Sequence, residues 1–190
     1  DISGMEKYAA EAFFKITDVK FNDYAAIQFV MPEKVMQANL KKKVEISQNL
    51  IAGYNEVVSL GVPKWQVPAH CRIADVYIEF RDALRNAEIP KELLPETWEA
   101  MSDDDPRKAL YEEAYYKYTE ELENQAQPLE DKAIAEYTEA MSIAEANEID
   151  DAWSKKAYDQ LLAIRPTDVI QYEDIGNQGL KSDETWLVSN

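Results

Sequence analysis

The chain is poor in the residues that carry most side-chain chemistry. Its 190 residues include one cysteine and one histidine. Cys71 has no partner for an intrachain disulfide, and one thiol leaves the redox compartment open. His70 and Cys71 are too few for a zinc site without carboxylates. They are also neighbours, and neighbouring helical side chains do not face the same way. A single histidine leaves no Ser–His–Asp arrangement to assemble. No G-x-S-x-G motif, phosphate loop or dinucleotide fingerprint occurs. Glycine (5) and proline (8) are scarce, which leaves too few turn signals for an all-β chain. No run of 18 apolar residues exists, so direct membrane insertion is not expected. Basic residues are the minority, 20 against 37 acidic, for a net charge of −17. That balance repels nucleic acid and anionic membrane surfaces and draws in basic proteins. The opening DISGM lacks an initiating Met and reads as a processed, tagged or trimmed start.

What is present points to helices. Apolar residues make up 46% of the chain, enough for a core. The first helical segment is expected over 5–31, with a stripe of Tyr8, Ala9, Ala12, Phe13, Ile16, Val19 and Tyr24. The second runs from 32 or 33 to 60 on Val35, Leu40, Val44, Leu50, Ile51, Tyr54, Val57 and Val58, and Gly61 and Pro63 close it. A third covers 64–87 on Trp65, Ala69, Ile73, Val76, Tyr77 and Phe80. Residues 86–105 form a linker, expected to pack down through Trp98 or to be functional. Asp105 and Pro106 then start a helix to about 147, which Pro128 should kink or break near 125–127. A last helix covers 150–164, and 167–190 read as an irregular tail packed on the last helices, anchored by Trp186.

The stretch RIADVYIEFRDAL at 72–84 echoes KITDVKFNDYAAI at 15–27. Three segments align without gaps when Tyr8, Trp65 and Trp153 are superposed. Their shared columns continue with Ala12, Ala69 and Ala157; Phe13, His70 and Tyr158; Ile16, Ile73 and Leu161; Val19, Val76 and Ile164. A second helix type also repeats: LIAGYNEV at 50–57 matches AIAEYTEA at 133–140, with Tyr54 over Tyr137. The unit is therefore a pair of helices, and such units stack because one pair cannot bury both faces. An end helix without a neighbour is left with an open apolar face.

These spacings resemble the tetratricopeptide-repeat family. Its first-helix positions fall on Phe13, Ile16 and Thr17; His70, Ile73 and Ala74; Tyr158, Leu161 and Leu162. Its second-helix positions fall on Leu50, Tyr54, Val57 and on Ala133, Tyr137, Ala140. The long helices, with the run at 114–141, are similar to repeat proteins of deltaproteobacterial cell envelopes, some of which serve myxobacterial gliding motility. The resemblance implies an all-α, right-handed αα-superhelix of elongated hairpins over 1–166, in a bacterial periplasm or cell envelope. It also implies a concave groove lined by Phe14 and Asp18, then Cys71 and Asp75, then Asp159 and Ala163. The lysine and asparagine of the carboxylate-binding variant are missing there, so a basic or apolar segment is the expected ligand.

The functional expectation is a non-enzymatic scaffold or adaptor that binds another protein in a larger assembly. The alternative is a structural subunit or homo-oligomer that assembles through its uncapped end helices. No catalytic, metal or cofactor residue is expected. Partner contacts are expected from Phe14, Asp18, Cys71, Arg72, Asp75, Trp98 and Trp186, and from Tyr111, Tyr115 and Tyr118 on one helical face.

Overall fold

The computed structural model describes residues 4–95 and 97–165. Among them the chain is all-helical. The helices are α1 (Met5–Asp18), α2 (Phe21–Ala25), α3 (Glu33–Ser59), α4 (Pro63–Arg85), α5 (Pro106–Ala146) and α6 (Ala152–Ile164). Their ends follow local chemistry. Gly61, at φ 66°, turns the chain out of α3, and Pro63 opens α4 where a missing N–H costs nothing. The Asp105 carboxylate accepts the Arg107 N–H at the start of α5. Asp151 and Ser154 form a reciprocal capping box on α6. The tail, including Trp186, lies outside the described residues.

Central α4 touches every other helix. Its most extensive partner is α5, which runs antiparallel to it: Arg85 meets Glu123, Arg81 meets Glu130 and Asp75 meets Tyr137. On its other side α4 packs on α1, α2 and α3, and α6 closes against α4 and α5. The first core joins Phe14, Phe21, Tyr24, Leu50, Tyr54 and Val57 to Ala69, Ile73 and Val76 of α4. The second joins Val67, Cys71 and Ala74 of α4 to Ala133, Tyr137, Ala140 and Ala144 of α5 and to Ala157 and Leu161 of α6. Burying one large side chain such as Phe14 contributes roughly 2–3 kcal/mol.

Four expectations need correction. The first helical segment does not run to residue 31. It ends at Asp18, restarts as the single-turn α2, and then extends, so that Phe21, Tyr24, Ile27 and Phe29 all turn inward. A straight helix with its 100° steps could not bury all four on one side. The buried Lys43 ammonium holds this bend by donating to the carbonyls of Ile27 (2.9 Å) and Tyr24 (3.3 Å). Second, the apolar stripe assigned to α1 is mostly its outer face: Tyr8, Phe13, Ile16 and Val19 are exposed, and Ala10 and Phe14 are buried instead. Third, in the first half of α3 Lys43 and Ser47 are buried while Val35, Leu40 and Val44 are exposed. Fourth, Pro128 does not break α5, which is one helix of 41 residues.

The two second-type helices carry the same burial pattern. Leu50 and Ala133, Tyr54 and Tyr137, and Val57 and Ala140 are buried; Ala52 and Ala135, and Glu56 and Glu139, are exposed. One column differs. Gly53 lies against α1, where an added Cβ would sit 2.6 Å from the Thr17 hydroxyl, whereas the aligned Glu136 bonds His70 at 2.7 Å.

Candidate partner-binding site

The residues expected to line a groove come together, but around one another. Tyr54 donates its hydroxyl to Asp18 at 2.9 Å, and Tyr137 donates to Asp75 at 2.7 Å. In each case the tyrosine comes from the second-type helix and the aspartate from the first-type helix of the same pair. A cation from the next first-type helix completes each carboxylate. Arg72 Nε lies 2.7 Å from Asp18, and its other end donates to Asp75 at 3.0 Å. Lys156 of α6 pairs with the same Asp75 oxygen as Arg72, Oδ2, and Tyr137 takes Oδ1. The Arg72 guanidinium is further held between the rings of Phe21 (4.4 Å) and Trp153 (5.1 Å), a favourable place for a delocalised cation. Burial and, after it, the neighbouring carboxylates push the Tyr54 and Tyr137 hydroxyls far above their ordinary range, so both stay protonated donors.

This corrects the groove assignment. Phe14 is 6% exposed, Cys71 0% and Asp75 8%, so none offers a surface to a partner. Burial, and then Asp75, push the Cys71 thiol up to about 12, which leaves it protonated and unreactive. Asp18 and Arg72 are half-buried with their charges already paired. Asp159 and Ala163 are exposed on α6.

The second group of expected contacts lies on α5. With Arg85 opposite Glu123, residues 106–122 run past the end of α4 for about 25 Å. The 86–105 connection folds over this overhang. The ring of Trp98 lies 5.4 Å from that of Tyr115, and Tyr118 donates to the Glu88 carbonyl at 3.2 Å. Tyr111, Tyr115 and Tyr118 are therefore half-buried, whereas Tyr116 is 69% exposed. Tyr116 borders a shallow depression with Thr119, Glu120 and Glu123. Sequence reasoning missed this set, although positions 116, 120 and 123 share one helical face; the Tyr116 ring lies 5.9 Å from that of Tyr115.

The charge is strongly polarised. Residues 5–85 hold 11 basic and 10 acidic side chains, while 86–165 hold 8 basic and 21 acidic. The overhang and its connection, 86–123, account for 12 of those acids and only 4 bases. Glu123 is held by Arg85, so the open charge beside the exposed ring is Glu120; in a field of like sign this is a surface for cationic side chains.

Comparison with protein-family models, with curated proteins and with solved structures found no match for the chain.

Proposed function

We propose that the protein is a non-enzymatic scaffold that holds a basic, partly apolar segment of another protein on the α5 overhang. The observation that carries this reading is the overhang itself: a helix end continued past its packing partner, charged with one sign, with Tyr116 open to solvent and Leu110 65% exposed. The 86–105 connection covers one side of this helix end, while Tyr116 and Leu110 stay open to another surface. The architecture fits the same reading. Pairs of long helices that bury equivalent columns and repeat one Tyr–Asp bond agree with a tetratricopeptide-like superhelix, a form that works by presenting surface. The proposed setting is a bacterial envelope assembly, on the resemblance of the long helices to envelope repeat proteins.

The test is capture of partners from the source cell by wild-type protein and by a Tyr116→Ser, Glu120→Lys double variant, quantified by mass spectrometry. The variant should keep its thermal unfolding profile, because both side chains are exposed. It should lose most of the captured basic partner, and wild-type capture should weaken as salt is raised. An identical set of partners at equal amounts from both proteins would remove this reading.

A further inference from the structure

The outer face of α1 is uncovered. Met5 is 70% exposed, Tyr8 73%, Ile16 66% and Val19 77%, with Ala12 also exposed between them. The columns aligned with Tyr8, Ala12, Ile16 and Val19 are covered in the other first-type helices: Ala69, Ile73 and Val76 of α4 are buried against the first helix pair, and Ala157 and Leu161 of α6 against the second. A row of four large apolar side chains on one short helix is more than scattered surface hydrophobicity.

The order of residues in the row identifies its occupant. Around Ala12 the large side chains fall at −7 (Met5), −4 (Tyr8), +4 (Ile16) and +7 (Val19). The row reads the same in both directions. A second α1 laid antiparallel across it brings Met5 opposite Val19, Tyr8 opposite Ile16, and Ala12 opposite its own copy. The small residue falls at the crossing point, where two helices must approach most closely. Along the flanks Lys7 meets Thr17, Glu11 meets Phe13 and Lys15 meets Ala9, so no like charges are forced together.

We infer that two copies of this chain pair through α1 about a two-fold axis at Ala12. Two further observations favour a second copy in this orientation. The α1–α4 half has one excess positive charge, so joining two copies there keeps the acidic 86–165 halves at the outer ends. Among the described residues the opposite end does not offer a matching surface: α6 carries exposed Lys155 and Asp159 in the columns where α1 has Ala10 and Phe14 and α4 has Val67 and Cys71. A polar outer face of that kind does not repeat the α1 contact, which favours closure at two copies. One face of a 14-residue helix is a small interface, below the usual ~800 Å² per partner, so weak association is expected.

This surface is distinct from the α5 overhang, so failure here leaves the scaffold reading untouched. The test is sedimentation equilibrium of the full chain from about 1 to about 300 micromolar. The expected result is a rise in mean mass toward twofold in wild type and constant monomer mass in Ile16→Glu, whose exposed position preserves the fold. An Ala12→Cys variant treated with copper phenanthroline should yield a covalent dimer, absent when Ile16→Glu is added. Buried Cys71 makes wild type the blank. A wild-type monomer throughout the range overturns the proposal. So does growth past the dimer, or a dimer that Ile16→Glu leaves intact, or one in which the introduced thiols do not cross-link.

Discussion

The α1–α3 pair and the α4–α5 pair perform the same task with different materials. Each joins its helices through a tyrosine hydroxyl on an aspartate, Tyr54 on Asp18 and Tyr137 on Asp75. Each leaves its aspartate to a cation from the next helix. The first pair fills the space around this bond with rings: Phe14 lies 5.7 Å from Tyr54 and 5.4 Å from Trp65. The second fills it with Ala133, Ala140 and Ala144, and locks its rim with Arg81 and Arg85 on Glu130. The polar pair is thus the constant of the unit, and the apolar packing is interchangeable, as expected when volume and pattern are kept.

The depth of the two aspartates separates them most. Asp75 is surrounded by Tyr137, Arg72 and Lys156, and its side chain is 10% exposed; that of Asp18 is 28% exposed. Asp75→Ala strands two cations and a hydroxyl, and should cost about 3–5 kcal/mol in urea unfolding. Asp18→Ala should cost about 1–2 kcal/mol, because water reaches its site. Equal losses would show that the two bonds are not graded by burial.

A pH scan gives the next largest contrast, because only the first pair has a buried lysine. Burial holds the Lys43 amine down to about 8, against the pull of Glu79 and Asp82, while it lies over the Tyr24 ring. Below pH 8 folded and unfolded chains are both protonated there. Between pH 8 and 10.5 the folded chain has shed a proton that the unfolded chain keeps, so this group's contribution to stability rises with pH. Wild type should gain up to about 3 kcal/mol over that window relative to Lys43→Met. The Cys71 thiol and the Tyr24, Tyr54 and Tyr137 hydroxyls, all pushed up chiefly by burial, act the opposite way at the alkaline end, but they cancel in the difference between the two proteins. A flat difference would mean that Lys43 titrates as an ordinary lysine.

The smallest contrast lies in the column where Gly53 aligns with Glu136. Gly53→Ala should destabilise by about 1–2 kcal/mol through its clash with Thr17, and Thr17→Ala in the same chain should recover most of it. The aligned Glu136→Ala should affect stability only through the His70 contact. A Gly53→Ala protein more stable than wild type by the full helix-propensity gain of about 1 kcal/mol would mean that the Thr17 contact yields without cost.

Much of this was legible in sequence. Gly61, Pro63 and the Asp105–Pro106 pair mark helix ends through backbone chemistry that acts locally. The columns shared by 50–57 and 133–140 carry through to identical burial because each second-type helix is covered on the same side. The α1 stripe was misread for the opposite reason. Its columns repeat those of α4 and α6, but which face is buried depends on what lies outside the helix, and no described helix precedes α1. The bend at 19–32 was hidden because Phe21, Tyr24, Ile27 and Phe29 change from helical to alternate spacing within nine residues. Asp18 and Asp75 were visible as a recurrence but taken for ligand contacts. Their partners, Tyr54 and Tyr137, stood in the same alignment 36 and 62 residues away. Reading the two recurrences as one bond would have placed the acids inside.

The unbroken course of α5 has a mechanical side. The helix is about 60 Å of rod. At one end it carries Tyr116; further along it carries the hydroxyl that holds Asp75; near the other it seats α6. No loop interrupts it to absorb a displacement. A sideways force on the overhang therefore acts as torque about the Arg85–Glu123 and Arg81–Glu130 contacts, and these four side chains form the fulcrum of the molecule.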